Sequence, residues 1–165
     1  MSIASSTDVF FDQLKDLKSA TEQTMQTLPE LIGWAGDERL RDTLAAYFTA
    51  TVNHLQQIQI IFDGHSVEAG NDVCKAMAGL IEGGNAHIIL AGSPAIRDNL
   101  LIAHCTRIGH YLEAAAVFTR GVAAKCDLSA ERIALAGMVA RHQEFITSLA
   151  AVGASVFGLK LGGAV

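Results

Sequence analysis

The chain has 165 residues, half of them hydrophobic and only 18% charged, with a formal net charge of −5. That length suits one domain with a sizeable core, and the scattered lysines and arginines form no basic face, which argues against nucleic acid as a partner. A mean hydropathy of +0.31 is high for a small domain that must coat itself in polar groups, so a second apolar surface buried in a homo-oligomer is expected, with a dimer favoured.

Membrane insertion does not account for the apolarity. The charge-free stretch Phe145 to Leu159 is interrupted by Thr147, Ser148 and Ser155 and falls short of the roughly 20 apolar residues a span needs. The first residues do not follow the basic-then-apolar order of a secretory signal. Cys74, Cys105 and Cys126 are odd in number and widely spaced, which fits small buried side chains in a reducing cytoplasm.

No segment sustains the alternation of a strand, so the chain reads as all-α. The first helix starts near Ser6 or Thr7, with Asp8 in its first turn. Phe10, Leu14, Leu17, Thr21, Thr24, Leu28 and Leu31 follow three- and four-residue steps along one face. Pro29 is expected to kink or break the helix, and Trp34-Ala35-Gly36 closes it. A second helix runs from Asp37 to Phe62 with Leu40, Leu44, Tyr47, Thr51, His54 or Leu55, Ile58 and Phe62 inward, and Asp63-Gly64 ends it. From Val67 to Leu90 the pattern weakens, because Gly79, Gly83 and Gly84 each lower helix stability by roughly 1 kcal/mol against alanine. A shorter helix lying across the bundle is expected there. Gly92-Ser93-Pro94 then supplies a cap and a first-turn proline. The helix it opens runs to Lys125, with Ile96, Leu100, Ala103, Arg107, His110 or Tyr111, Ala114, Phe118 and Val122 as its stripe. A last helix follows Asp127 or Ser129 and runs to Phe157 through Leu135, Val139, His142, Ile146, Leu149 and Gly153, with Gly158, Gly162 and Gly163 closing the fold. Four long helices and one crossover between the second and third predict a single ferritin-like bundle spanning 1–165, with an extra short helix in the crossover.

Candidate chemistry is sparse. His54, His110 and His142 fall on or beside the core stripes of three helices. Neutral imidazoles facing one interior could bind a transition metal ion; the plainer alternative is three hydrogen-bonded core histidines. His65, His87 and His104 read as loop or outward positions. No Ser, His and Asp spacing suggests an activated nucleophile, and Gly83-Gly84 lacks the preceding strand and following Lys of a phosphate loop. An enzyme is therefore not the favoured reading. No cofactor is expected, the alternative being a transition metal ion on those histidines.

Several segments together carry a family likeness. They are Leu14-Lys15-Asp16 with Ala20, Gln23 and Leu28-Pro29, then Thr51, the stretch CKAMAGLIEGGN from Cys74 to Asn85, and RDNLLIA from Arg97 followed by IGHY at Ile108 to Tyr111. In these the whole chain resembles the YciE/YciF family of ferritin-like bacterial stress proteins. The resemblance implies a stress-related setting and inward glutamates arranged like a di-iron site. This chain departs from that pattern in each long helix. Thr21, Thr49 and Ala50, Gly109 and Leu112, and Gly137-Met138-Val139 stand where the family carries acids. The expectation is a non-catalytic bundle, structural or partner-binding, with a degenerate di-iron site. The alternative is a metal-binding protein or oxidoreductase using His54, His110 and His142.

Overall fold

The computed structural model describes residues 3–161 and contains five helices, α1 (Ser6–Trp34), α2 (Glu38–Gly64), α3 (Lys75–Ile88), α4 (Pro94–Lys125) and α5 (Ser129–Phe157). Each of the long helices begins or ends where its local chemistry says it should. Ser5 and Asp8 form a reciprocal capping box at the start of α1, satisfying two otherwise orphaned N–H donors. Asp37 caps α2 by accepting from the Leu40 amide at 3.1 Å, and Ser93 caps α4 ahead of Pro94. Gly158 ends α5 in the left-handed conformation, at φ 65°, which L side chains rarely adopt. Gly162 and Gly163, the other expected terminators, lie outside the described residues. Pro29 does not end α1, which continues to Trp34.

Contacts between the helix ends fix the topology. Asp98, in the first turns of α4, accepts hydrogen bonds from the Gly36 and Asp37 amides between α1 and α2, at 2.8 and 2.9 Å. At the opposite end, His65 beyond α2 meets Glu131 in the first turn of α5 at 2.7 Å. Hence α2 and α4 run one way, and α1 and α5 the other. The four form a square in which α1 neighbours α2 and α4, and α5 neighbours α4 and α2, so every seam is antiparallel. The segment from His65 to Ser93 carries the chain back along the length of the bundle, which is the ferritin-like crossover.

The stripes expected on α1 and α2 are the buried ones: Phe10, Leu14, Leu17, Thr21, Thr24, Leu28 and Leu31, and Leu40, Leu44, Tyr47, Thr51, His54, Ile58 and Phe62. On α4 the face is different. Its buried residues are Asp98, Leu101, Ile102, His104, Cys105, Ile108, Gly109, Leu112, Ala116, Thr119 and Ala123, while Ile96 and Phe118 are exposed. The physical reason is that α4 touches three neighbours, α1, α5 and α3. Its apolar residues therefore surround most of its circumference, and no single stripe stands out.

Helix α3 covers the face formed by α1 and α4. It buries only Met77 and Ile88 fully and has no side-chain N-cap. Its closest approach to the bundle is at Gly84. A Cβ there would lie 1.9 Å from Nδ1 of His104, so the missing side chain is what lets the two helices meet. His104 is 1% exposed and its two ring nitrogens are unpartnered. It is a core residue, not the outward one the sequence pattern implied. Gly84→Ala should gain roughly 1 kcal/mol of helix propensity but lose more to overpacking, a net loss on the order of 2 kcal/mol. Removing the ring in Gly84→Ala/His104→Ala should recover much of it. Urea denaturation of the four proteins of that cycle measures the coupling; a Gly84→Ala protein as stable as wild type would contradict the contact.

Candidate functional site

The bundle interior holds short polar side chains that satisfy their own hydrogen bonds, and of the positions where the resemblance implies acids Thr21 is one of these. Thr21, Thr24 and Thr119 are buried and donate their hydroxyls to the carbonyls of Leu17, Ala20 and Ala115, four residues back on their own helices. Thr51 does the same to Phe48, three residues back. Gly109, Leu112, Met138 and Val139 are also buried. Thr49 and Gly137 face solvent and Ala50 is only half-buried, so Thr51 and Val139 are the inward positions, each one turn before a histidine of its helix. Di-iron bundle sites use glutamates from all four helices, two of them in Glu-x-x-His pairs. Here Thr51 and Val139, not glutamates, stand three residues before His54 and His142. Among the described residues no group of three or more His, Cys, Asp and Glu is arranged to hold a metal ion. The residues present do not fit a dinuclear carboxylate centre.

The two histidines lie together where α2 faces α5. Their ring centroids are 4.8 Å apart and the rings meet edge to face at 74°. His142 is fully buried and His54 is 5% exposed. Tyr47, two turns before His54 on α2, places its hydroxyl 2.7 Å from Nδ1 of His142 and stacks on Phe145 at 3.6 Å. That stack fixes the tyrosine, and the tyrosine fixes the imidazole. Three ring nitrogens remain without a partner, Nδ1 and Nε2 of His54 and Nε2 of His142. A buried polar group left without a partner costs roughly 1–3 kcal/mol.

Burial sets the charge state of the pair. Desolvation, followed by the nearby Arg141 charge, pushes His54 down to about 4. Desolvation, followed by His54, pushes His142 down to about 3. Both rings are neutral at pH 7, so each has one nitrogen lone pair not taken by a proton. Burial also raises the Tyr47 hydroxyl above its ordinary range and Cys105 up to about 12, so neither supplies an anion.

His110 does not join them. It is exposed on the outer side of α4, 3.2 Å from Glu113, which also accepts from Gln143 of α5 at 2.9 Å. The sequence pattern had set it beside the core stripe of α4; the true buried face of that helix runs through Ile108, Gly109 and Leu112. His65 pairs with Glu131 at the end of the bundle.

The α2–α5 seam is the least extensive of the four in the square. Outside it runs an open groove of about 810 Å³, lined among others by Ala46, Tyr47, Ala50, His54, Met138 and Phe145, with Asp42, Arg141 and Glu144 also along it. Ala46 and Ala50 are among its lining and leave it unfilled. No helix among the described residues is long and apolar enough to cross a membrane.

Comparison with known proteins places this architecture. The match to the curated protein YciF of Escherichia coli is 30% identical over 105 residues and spans 63% of each chain. The solved structure of the E. coli stress protein YciF superposes with a TM-score of 0.88 at 23% identity, covering 94% of this chain and 99% of that one. YcfI of Rhodopseudomonas palustris superposes with a TM-score of 0.86 at 19% identity, covering 90% and 94%. A family model described as a domain of unknown function, DUF892, matches residues 5–155. The chain therefore belongs to the DUF892 family and is a helical-bundle protein of the YciE/YciF type.

Proposed function

We propose that the protein is a non-catalytic bundle whose di-iron site has degenerated, working as a structural or partner-binding homo-oligomer in a bacterial stress setting. The observation that carries this reading is the state of the interior. Threonine hydroxyls there are spent on their own helices, and no glutamate stands one turn before His54 or His142, where Thr51 and Val139 are. Oxygen activation at a dinuclear centre needs anionic oxygens to bridge and neutralise two ions. The setting is suggested by the E. coli relative, which is described as a stress protein. Association is supported by large apolar side chains left in solvent, among them Ile60 at 61%, Ile133 at 68% and Phe118 at 55% exposed.

The reading is tested by loading the purified protein with ferrous iron under argon, admitting oxygen, and measuring iron content and ferroxidase turnover, with light scattering on the same sample. No ferroxidase activity and a mass of two or more chains are expected. Two iron ions per chain with turnover, or a monomer at micromolar concentration, would defeat it.

A further inference from the structure

Helix α3 is the most lightly held element of the fold. It buries only Met77 and Ile88 fully, and no side chain caps its first turn. Its best polar ties lie at its first end, where Ser19 Oγ accepts from the Cys74 amide at 2.9 Å and Gln23 donates to the Cys74 carbonyl at 3.1 Å. Toward the other end, Asn85 reaches Thr27 and Glu30 only at 3.3 and 3.4 Å. Next to Asn85, Gly84 rests directly on the ring of His104. That ring is 1% exposed, and neither of its nitrogens has a hydrogen-bond partner.

A proton placed on His104 would find nothing to answer its charge. Desolvation holds the ring neutral, pushing it down to about 4, and the positive Arg107, one turn further along α4, adds to the effect. From α1, Lys18 and Glu22 pair with each other at 2.6 Å, and the exposed Glu30 accepts from Asn85. On α3 itself, Lys75, Glu82 and His87 are exposed, and Gly84 brings no polar side chain to the ring. A charged imidazole must therefore reach water. The long helices bury whole stripes against one another, whereas α3 lies outside their square and fully buries two residues. It is the wall that yields at least cost.

We propose that His104 and Gly84 form an acid-sensitive latch, in which protonation of the buried ring releases α3 from the α1–α4 face, hinged at its Cys74 end, while the square of four long helices stays closed. The device is reversible, since loss of the proton lets the ring return beneath Gly84. Its sign and size follow from linkage. The open form, with its ring in water, takes up a proton near 6.5 and the closed form near 4, so the ratio of open to closed rises about 20-fold as the pH falls from about 7 to about 5. The latch is independent of the non-catalytic reading, because it uses neither the iron content nor the state of association.

Amide hydrogen exchange read by mass spectrometry tests it on the full chain with chelator present, at about pH 7 and about pH 5, with rates corrected for the intrinsic pH dependence of exchange. Peptides of α3 should lose protection about 20-fold between the two conditions and should open ahead of α2 and α5. In His104→Gln the protection of α3 should be the same at both pH values. His54→Gln, which removes a buried ring from the opposite seam, should leave the α3 response intact. A wild-type change in α3 below about 3-fold, a response that persists in His104→Gln, or one that vanishes in His54→Gln overturns the proposal. If His104→Gln does not fold, His104→Leu takes its place. If neither folds, the wild type decides alone: α3 opening before α2 as the pH falls supports the latch, and the two opening together refutes it.

Discussion

Lowering the pH from about 7 to about 4, with chelator present, should cost on the order of 5 kcal/mol of unfolding free energy. The source is three imidazoles buried in their neutral form. His54 and His104 are pushed down to about 4 and His142 to about 3, in each case by desolvation first. An unfolded histidine titrates near 6.5. The unfolded chain therefore takes up protons that the folded one refuses. Stability is fully present above about pH 6.5 and is lost as the pH falls toward about 4, with His142 extending the loss further down. A histidine depressed from 6.5 to about 4 carries at most ~3 kcal/mol; local relaxation and water entry make the sum of the three smaller than that ceiling implies. Asp8 and Glu131, whose carboxyls are lowered by hydrogen bonds from Ser5 and His65, also lose stability in acid. Their losses begin only as the pH falls into the ordinary carboxylate range, so they do not obscure the upper part of the curve. Urea unfolding measured at several pH values gives the proton uptake. His104→Gln should remove about one proton from it. A free energy that stays flat between about pH 7 and about pH 5 would show that these rings are not buried neutral.

The second large effect is expected at Asp98, which ties the start of α4 to the turn between α1 and α2. It is 3% exposed, and its two oxygens accept from the Gly36 and Asp37 amides. Bonds to a charged acceptor contribute about 1.5–3 kcal/mol each. Asp98→Ala removes both and leaves two amides to find water. A loss of about 3–4 kcal/mol is expected, near 10 °C in melting temperature for a domain of this size. Asp98→Asn keeps one carbonyl oxygen and should fall about midway. Thermal melts and urea midpoints read both. An alanine variant within about 1 kcal/mol of wild type would mean that the turn is held elsewhere.

Asp98 also illustrates what a sequence conceals. In RDNLLIA it reads as an ordinary charge in the first turn of a helix, and only the return of the chain to Gly36 and Asp37, some sixty residues back, makes it a clamp. Helix limits were legible because they are local. Ser93-Pro94 opens α4 and Gly158 closes α5, whereas Gly64 is the last helical residue of α2 and the left-handed residue beyond it is Ser66. Inward faces were legible on α1, α2 and most of α5, which bury a single stripe against the bundle. They were not legible on α4, where contact with three neighbours blurs the 3.6-residue period, and both His104 and His110 were misplaced for that reason. Two members of the histidine pair were visible as stripe positions. Tyr47 was visible as a core residue, but its bond to His142 spans 95 residues and leaves no trace in local spacing.

The crossover has a kinetic consequence. Helices α1 and α2 form one hairpin, joined by three residues, and α4 and α5 form another, joined by three. Contacts within each are local, so each can assemble early, as low contact order predicts. The α1–α4 and α2–α5 seams bring together distant stretches of chain. Their closure must wait for the long segment around α3 to bend back, and the entropy of closing a loop grows only slowly with its length. The loosest of these late seams, α2–α5, also holds the histidine pair. Side chains on that seam are expected to meet late, and substitutions at His54 or His142 to act mainly on the unfolding rate, which stopped-flow kinetics of the variants would read.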